Sequence, residues 1–137
     1  MIEPELIKDN DLLIAKIIRD QEWPENLQFY SEEKDFLQVG TWKYNAGKHL
    51  KAHGHKICER VSNRTSEFLF VKTGRIKASF YNEEDKFITE KELNPGDILI
   101  VYSGGHAYDV LEDDTQVLEI KNGPYPGLEK DKKAIEQ

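Results

Sequence analysis

The chain has 137 residues, of which 38% are hydrophobic and 33% charged, and a formal net charge of −7. These values fit one compact domain, residues 1–137, and the acidic balance argues against general nucleic-acid binding. Because the chain shows no bilayer-length apolar run, no signal-peptide pattern at its start and a single cysteine, Cys58, we expect a cytoplasmic protein without an intrachain disulfide, a membrane partner or a nucleic-acid partner.

The predicted elements, taken in chain order, are almost all short strands. Apolar residues recur at every second position or in short solid runs, which is the pattern of β-strands. Nine segments show it: 12–19, 35–44, 48–57, 66–71, 75–81, 86–93, 98–102, 106–112 and 116–122. Helical character is limited to 20–26 and the tail 128–137.

Tight turns separate these strands, with sequences such as "KTG", "NEED", "NPGD", "SGG" and "GPYPG". Many short strands joined by turns at regular spacing predict an all-β sandwich or small barrel; the jelly roll is the double-sheet version and can enclose a pocket. Barrels often pair through sheet edges, and the apolar run 12–19 needs cover. We therefore expect a homodimer.

Residues 45–65 form a basic segment in an otherwise acidic chain. The segment has one acidic residue, Glu59, and five basic ones: Lys48, Lys51, Lys56, Arg60 and Arg64. A local positive field attracts small anionic molecules, and a guanidinium can bind a carboxylate or phosphate through two hydrogen bonds. Arg60 and Arg64 are therefore candidate ligand-binding residues, although solvent-exposed loop positions would explain them equally well.

Three of the four histidines fall in a pattern that suits metal binding. On a strand, His53 and His55 project to the same face, and His106 follows the flexible sequence Ser103-Gly104-Gly105. A carboxylate, from Glu59 or Glu67, would complete a mixed nitrogen and oxygen ligand set. His49 has the same strand parity and is expected at the surface, while Cys58 has the opposite parity and is expected to pack.

Two motifs in the chain resemble those of the cupins. The first covers residues 47–74: Gly47, five residues, His53-x-His55, then Glu67, six residues and Gly74. The second covers residues 95–106, from the Pro95-Gly96-Asp97 turn to the glycine-supported His106. Eleven residues separate His55 from Glu67, where the family pattern has three or four, and Glu59 sits at the family spacing. Tyr102 replaces the proline of the second motif, and one residue before His106 is missing.

The resemblance implies a single cupin-type double-stranded β-helix, which is a jelly-roll barrel, with a metal held by His53, His55, Glu67 and His106. We prefer Glu67 to Glu59 because "EFLFVKTG" matches the motif as a unit. The phrases "RTSEF", "SGGHAYDV" and "LEIKNGPY" are also similar to small stand-alone cupins, whose role is mostly unassigned.

The expected cofactor is one divalent transition metal ion, Fe, Mn, Ni or Zn, with open coordination positions. The expected function is action on a small anionic molecule, such as a sugar phosphate, a nucleotide sugar or a carboxylate, by an isomerase, epimerase or dioxygenase reaction. A non-catalytic metal- or ligand-binding module and a structural partner protein are the alternatives, since no dedicated general base stands out.

Three further residues are weighed as pocket-lining groups. Tyr108 has the parity of His106 and could donate a hydrogen bond to a ligand, or could pack as a half-buried residue. Glu119 and Lys121 share one face of the strand 116–122. They are expected to face outward, because Leu118 and Ile120 would then fill the core.

Overall fold

The computed structural model describes residues 1–136 and consists mainly of antiparallel strands. The strands are β1 (Glu5–Asp9), β2 (Leu12–Ile18), β3 (Asn26–Phe29), β4 (Gly40–Lys43), β5 (Glu67–Thr73), β6 (Ile76–Tyr81), β7 (Phe87–Leu93), β8 (Ile98–Val101), β9 (Gly105–Val110) and β10 (Gln116–Lys121). A short 3₁₀ turn (Asp20–Glu22) and one turn of α-helix, α1 (Leu128–Asp131), complete the elements. The expectation of an all-β chain is confirmed.

The strands form three sheets. A five-stranded sheet has the order β1-β2-β8-β5-β10, a three-stranded sheet has the order β7-β6-β9, and β3 and β4 form a separate hairpin. In the large sheet Glu67 of β5 lies opposite Val101 of β8 on one side and Lys121 of β10 on the other. The five-stranded sheet has edges at β1 and β10 and the three-stranded sheet has edges at β7 and β9, so no closed barrel is seen in residues 1–136.

The two larger sheets pack face to face over the main core. Its buried residues come from both sheets, with Leu69, Val71 and Leu99 on the five-stranded sheet and Ala78 and Phe80 on the three-stranded sheet. Phe80, Leu99 and Val71 are fully buried. Burying side chains of this size is the main force that holds the sheets together.

A second core covers the opposite face of the five-stranded sheet. There Ile98, Ile100 and Tyr102 pack against Tyr30, next to the hairpin of β3 and β4. The face that packs against the three-stranded sheet is called the inner face below, and the face with this second core is called the outer face. Because strand side chains alternate between faces, Leu99 and Val101 point inward while Ile98, Ile100 and Tyr102 point outward.

Seven of the nine predicted strands are found with small shifts in their ends. The prediction over 35–44 is correct only for 40–43, and β1 and β3 were not predicted at all. The apolar run 12–19 is β2, which pairs with both β1 and β8. It therefore needs no cover from a second molecule, and that reason for expecting a dimer is wrong.

The predicted strand over 48–57 is absent from the structure. Residues 44–66 form no helix or strand, and every residue from 45 to 65 is exposed. On a strand, Leu50 and Ala52 would be the only apolar residues on their face. So little apolar area stabilises a strand poorly, and the opposite face carries only Ile57 as an apolar residue.

The described part of the chain contains no helix with the length and hydrophobicity needed to cross a bilayer.

Candidate metal-binding site

Glu67 and His106 come together at the open end of the main core. Glu67 is the first residue of β5 and lies on the inner face in line with Leu69 and Val71, with only 4% of its surface exposed. His106 is the second residue of β9, and its Nε2 lies 2.9 Å from Oε2 of Glu67. Two side chains that are 39 positions apart in the sequence thus meet where the two sheets face each other.

The turn before β9 fixes the approach of His106. Gly104 has a positive φ of 70°, and a Cβ at this position would collide with the backbone oxygen of Tyr81. Only glycine adopts such a conformation without strain and without this collision. The "SGG" sequence therefore sets where β9 begins, and with it the position of His106 opposite Phe80.

Three more polar residues surround this pair. The Tyr108 hydroxyl lies 3.5 Å from Oε1 of Glu67, a long contact, and Tyr108 also packs against the main core. On the neighbouring strand β10, Lys121 lies opposite Glu67, and its Nζ is 3.5 Å from Oε1 of Glu119. We call these five residues, Glu67, His106, Tyr108, Glu119 and Lys121, the Glu67 cluster.

The orientation of β10 corrects the expectation for Glu119 and Lys121. Paired residues of an antiparallel ladder point to the same face, so Glu119 and Lys121 share the inner face with Leu69 and Glu67. Leu118 and Ile120 point outward instead and are 53% and 44% exposed. In the sequence "QVLEIK" apolar and polar residues do not alternate strictly, and only the pairing with β5 decides the face.

The carboxyls of Glu67 and Glu119 have pKa values shifted in opposite directions. Burial opposes ionisation of Glu67, but hydrogen bonds with His106 and Glu119 and the charges of His106 and Lys121 lower its pKa to about 2. For Glu119 the hydrogen bond with Glu67, partial burial and the charge of Glu67 raise the pKa above its ordinary value. Two adjacent carboxylates repel each other, so Glu119 is the member of the pair that retains a proton more readily.

Burial, followed by the charges of Glu67 and Glu119, also raises the pKa of Tyr108 well above its ordinary value. The phenol therefore stays protonated and can donate a hydrogen bond. The cluster thus combines an ionised carboxylate, a carboxyl with a raised pKa, a phenol and an ammonium group around one imidazole.

The imidazole of His106 has one nitrogen without a partner. Nε2 faces Glu67, whereas Nδ1 is buried and has no hydrogen-bond partner in the described part of the chain. In the neutral tautomer with its proton on Nε2, the ring donates that proton to the carboxylate and Nδ1 has a free lone pair. An imidazole nitrogen and a carboxylate oxygen that lie this close together are donor atoms of the kind found in mixed nitrogen and oxygen metal sites.

The other two predicted histidine ligands lie outside the Glu67 cluster. His53 and His55 are both in the exposed 44–66 segment, with their ring centroids 5.1 Å apart and nearly perpendicular. Nδ1 of His53 lies 3.1 Å from the backbone oxygen of Lys51. Among residues 1–136 no group of three or more histidine, cysteine, aspartate or glutamate side chains stands in an arrangement that could hold a metal.

The remaining predicted residues are distributed as follows. Glu59 and Arg60 are exposed in the 44–66 segment, and so is His49, as expected. Arg64 lies near the end of the same segment, where its Nη1 is 3.5 Å from Oε1 of Glu83. Cys58 is an exposed free thiol, so the expectation that it packs in the core is wrong. Of the two candidate carboxylates, only Glu67 lies beside His106.

No protein-family model, no curated protein and no solved structure matches this chain.

Proposed function

We propose that the chain is a metal-binding protein of the cupin type, whose divalent metal is held by Glu67 and His106 together with His53 and His55. The observation that supports this most strongly is the contact between Glu67 and His106 on the inner face. Both residues were selected from the sequence as ligands, and their imidazole nitrogen and carboxylate oxygen are donor atoms that suit Fe(II), Mn(II), Ni(II) or Zn(II).

The proposal requires part of the 44–66 segment to form a strand and pair with one of the sheets. Strand β9, which carries His106, is an open edge of the three-stranded sheet, and an unpaired edge offers hydrogen bonds to another strand. Residues 58–65 span up to about 27 Å when extended, which gives residues 48–57 enough reach to lie along β9 while remaining linked to Glu67. His53 and His55 would then project to one face, next to His106 and Tyr108.

This rearrangement would also extend the sheets toward the proposed double-stranded β-helix, since it adds a strand at the open edge of β9. In the absence of metal, a strand with so few apolar residues has little to stabilise it. Metal ligation supplies the missing free energy, so binding and strand formation should be coupled.

The basic segment supports a small anionic molecule as the ligand of the same site. Lys48, Lys51, Lys56 and Arg60 would move with residues 48–57 toward the open end of the core, where they would attract a negative charge. Tyr108 could donate a hydrogen bond to a ligand oxygen there. Arg64 forms an ion pair with Glu83 and is therefore less suited to attract an anionic ligand to the Glu67 cluster.

Two carboxyls with different proton affinities favour an enzyme over a binding module. A bound metal would polarise a carbonyl, lower the pKa of a bound water or hold a substrate beside dioxygen. Glu119, whose pKa is raised, could deliver or accept a proton next to Glu67, and thereby serve as the acid–base group that the sequence did not reveal. We therefore propose an isomerase, epimerase or dioxygenase reaction in the cytoplasm, with a non-catalytic module as the second candidate.

We also propose a homodimer, for a different reason from the one the sequence suggested. Strand β10 is an open sheet edge, and its outward residues Leu118 and Ile120 are exposed beside the half-buried Phe68 and Phe70 of β5. An apolar edge of this kind favours association. Sedimentation equilibrium tests this: we expect a dimer whose dissociation constant rises in Leu118→Lys, and a monomeric parent protein would contradict it.

Metal content measured by mass spectrometry after metal loading and dialysis tests the metal proposal. We expect about one equivalent in the parent protein and a large loss in His53→Ala/His55→Ala and in His106→Ala. His49→Ala is the matched control, since it removes an exposed imidazole from the same segment, and it should keep full metal content. Full occupancy in the His53→Ala/His55→Ala variant would place the metal elsewhere.

A further inference from the structure

The outer face of the five-stranded sheet borders a cavity with a volume of about 740 Å³. Its floor is formed by β1, β2 and the residue after β8, with Leu13, Lys16 and Tyr102. Residues 32–36 and 63–66 form its other walls. The Glu67 cluster lies on the inner face, so the sheet itself separates this cavity from the proposed metal site.

Tyr102 gives this cavity an unusual feature. The residue is only 9% exposed, and its hydroxyl is buried without a hydrogen-bond partner in the described residues. Leaving such a hydroxyl unpaired costs free energy that a phenylalanine would not, because the apolar ring packs equally well without it. A buried hydroxyl without a protein partner is a position where an added hydrogen-bonding group would be favourable.

The groups around this hydroxyl are mixed in charge. Lys16 donates a hydrogen bond to the backbone oxygen of Tyr30, and its Nζ lies 5.3 Å from the centre of the Tyr102 ring. Burial, followed by the charges of Asp35 and Glu32, raises the pKa of Tyr102 well above its ordinary value. The negative charges of Asp35 and Glu32 therefore oppose the binding of an anionic ligand beside Tyr102.

The whole lining carries four cationic side chains and three carboxylates, namely Lys8, Lys16, Lys34 and Arg64 against Asp11, Glu32 and Asp35. Lys8 and Lys34 provide further donors, and Lys34 already pairs with Glu32 at 3.3 Å. Leu12, Leu13 and Phe36 provide apolar surface. A site with carboxylates that accept hydrogen bonds, ammonium and phenol groups that donate them, and an aromatic ring suits a molecule with many hydroxyls and apolar C–H faces.

We propose that this cavity binds a small uncharged polyhydroxylated molecule of the monosaccharide class, with the Tyr102 hydroxyl donating a hydrogen bond to a ligand oxygen. The Tyr102 oxygen is itself buried, so a ligand reaches it only if neighbouring atoms of the cavity wall move. Part of that wall is formed by Glu32, Lys34, Asp35 and Phe36, where the Glu32 N–H donates a hydrogen bond to Asp35 Oδ2 at 2.8 Å. The inference is tested on the metal-free protein, because the wall residues Asn63 and Arg64 belong to the segment that the proposed metal site would rearrange.

Saturation-transfer NMR and titration calorimetry with glucose, galactose, mannose and their N-acetyl derivatives test the proposal on the full chain. We expect at least one of these sugars to bind in the millimolar range and Tyr102→Phe to weaken it about tenfold or more. Tyr125→Phe, which removes an exposed hydroxyl elsewhere, should bind as the parent does. Inorganic phosphate and acetate serve as anionic probes and should bind more weakly than the sugar.

The melting temperature of Tyr102→Phe without ligand provides an independent test. If the hydroxyl is unpaired in the free protein, the variant should melt at the same temperature as the parent or higher. A clear fall in melting temperature would mean that the hydroxyl has a structural partner, and this would overturn the inference. Failure of all six sugars to bind, or equal sugar binding by Tyr102→Phe and the parent, would also overturn it.

Discussion

The Glu67→Gln substitution removes a buried carboxylate whose surroundings favour its charge. The pKa of Glu67 is about 2, against 4.5 for an ordinary glutamate. Since a pKa change of one corresponds to about 1.4 kcal/mol, the folded protein favours the ionised form by about 3 kcal/mol. The variant also relieves the repulsion that raises the pKa of Glu119, so we expect a net loss of about 2 kcal/mol at neutral pH.

The stability lost in Glu67→Gln should depend on pH, because folding lowers the pKa of Glu67. A carboxyl whose pKa is lowered by folding contributes stability that is complete above pH 4.5 and declines as the pH falls toward 2. The difference between the parent and Glu67→Gln should therefore shrink over the same range. Glu119 contributes in the opposite sense, because a raised pKa stabilises the fold at low pH and loses that effect as the pH rises through the raised value.

Urea denaturation of the metal-free protein, followed from pH 7 down to the acid limit of folding, measures these changes. Glu59→Gln is the matched control, since it removes the same charge from an exposed position and should change stability by less than about 0.5 kcal/mol. In Glu67→Gln, carbon NMR of Glu119 should show its pKa moving down toward 4.5. An equally small effect of both substitutions, with the Glu119 pKa unchanged, would refute the reasoning.

Three further predictions concern the fold. Asp97→Ala should destabilise the protein by about 3 kcal/mol in urea denaturation. The substitution removes a buried carboxylate that accepts hydrogen bonds from Arg19 and two backbone N–H groups. A loss of stability below about 1 kcal/mol would contradict this. Gly104→Ala should cost about 2 kcal/mol or more through strain, whereas Gly47→Ala, whose Cβ would meet open space, should cost less. Tyr102 and Tyr108, whose pKa values are raised, should ionise only as the protein unfolds above pH 10, so alkaline titration at the tyrosinate absorbance should be biphasic and not single-phase.

Most strands could be predicted because their own sequences carry the signal. The segments 66–71, 75–81 and 98–102 combine β-branched and aromatic residues with flanking turn sequences, and the structure places β5, β6 and β8 there. The strand β3 was missed because its four residues, "NLQF", are too short and too polar for a periodic signal. In such cases tertiary pairing, here with β4, decides the conformation.

The candidate site was predictable only in part. Motif spacing was sufficient to select Glu67 and His106 as partners, although nothing in the local sequence shows that β5 and β9 bring them within 2.9 Å. Glu119 and Lys121 could not be assigned, because the inward face of β10 depends on its register with β5. The strand over 48–57 was predicted from alternation alone, and alternation does not supply the partner strand that a polar segment needs.

A crystal structure of the metal-loaded protein, with anomalous scattering recorded at the absorption edge of the metal, tests the central claim most directly. We expect one anomalous peak about 2.0–2.2 Å from nitrogens of His53, His55 and His106 and from an oxygen of Glu67, with residues 48–57 paired to β9. A peak away from Glu67 and His106, or no peak while residues 48–57 stay unpaired, would contradict the account.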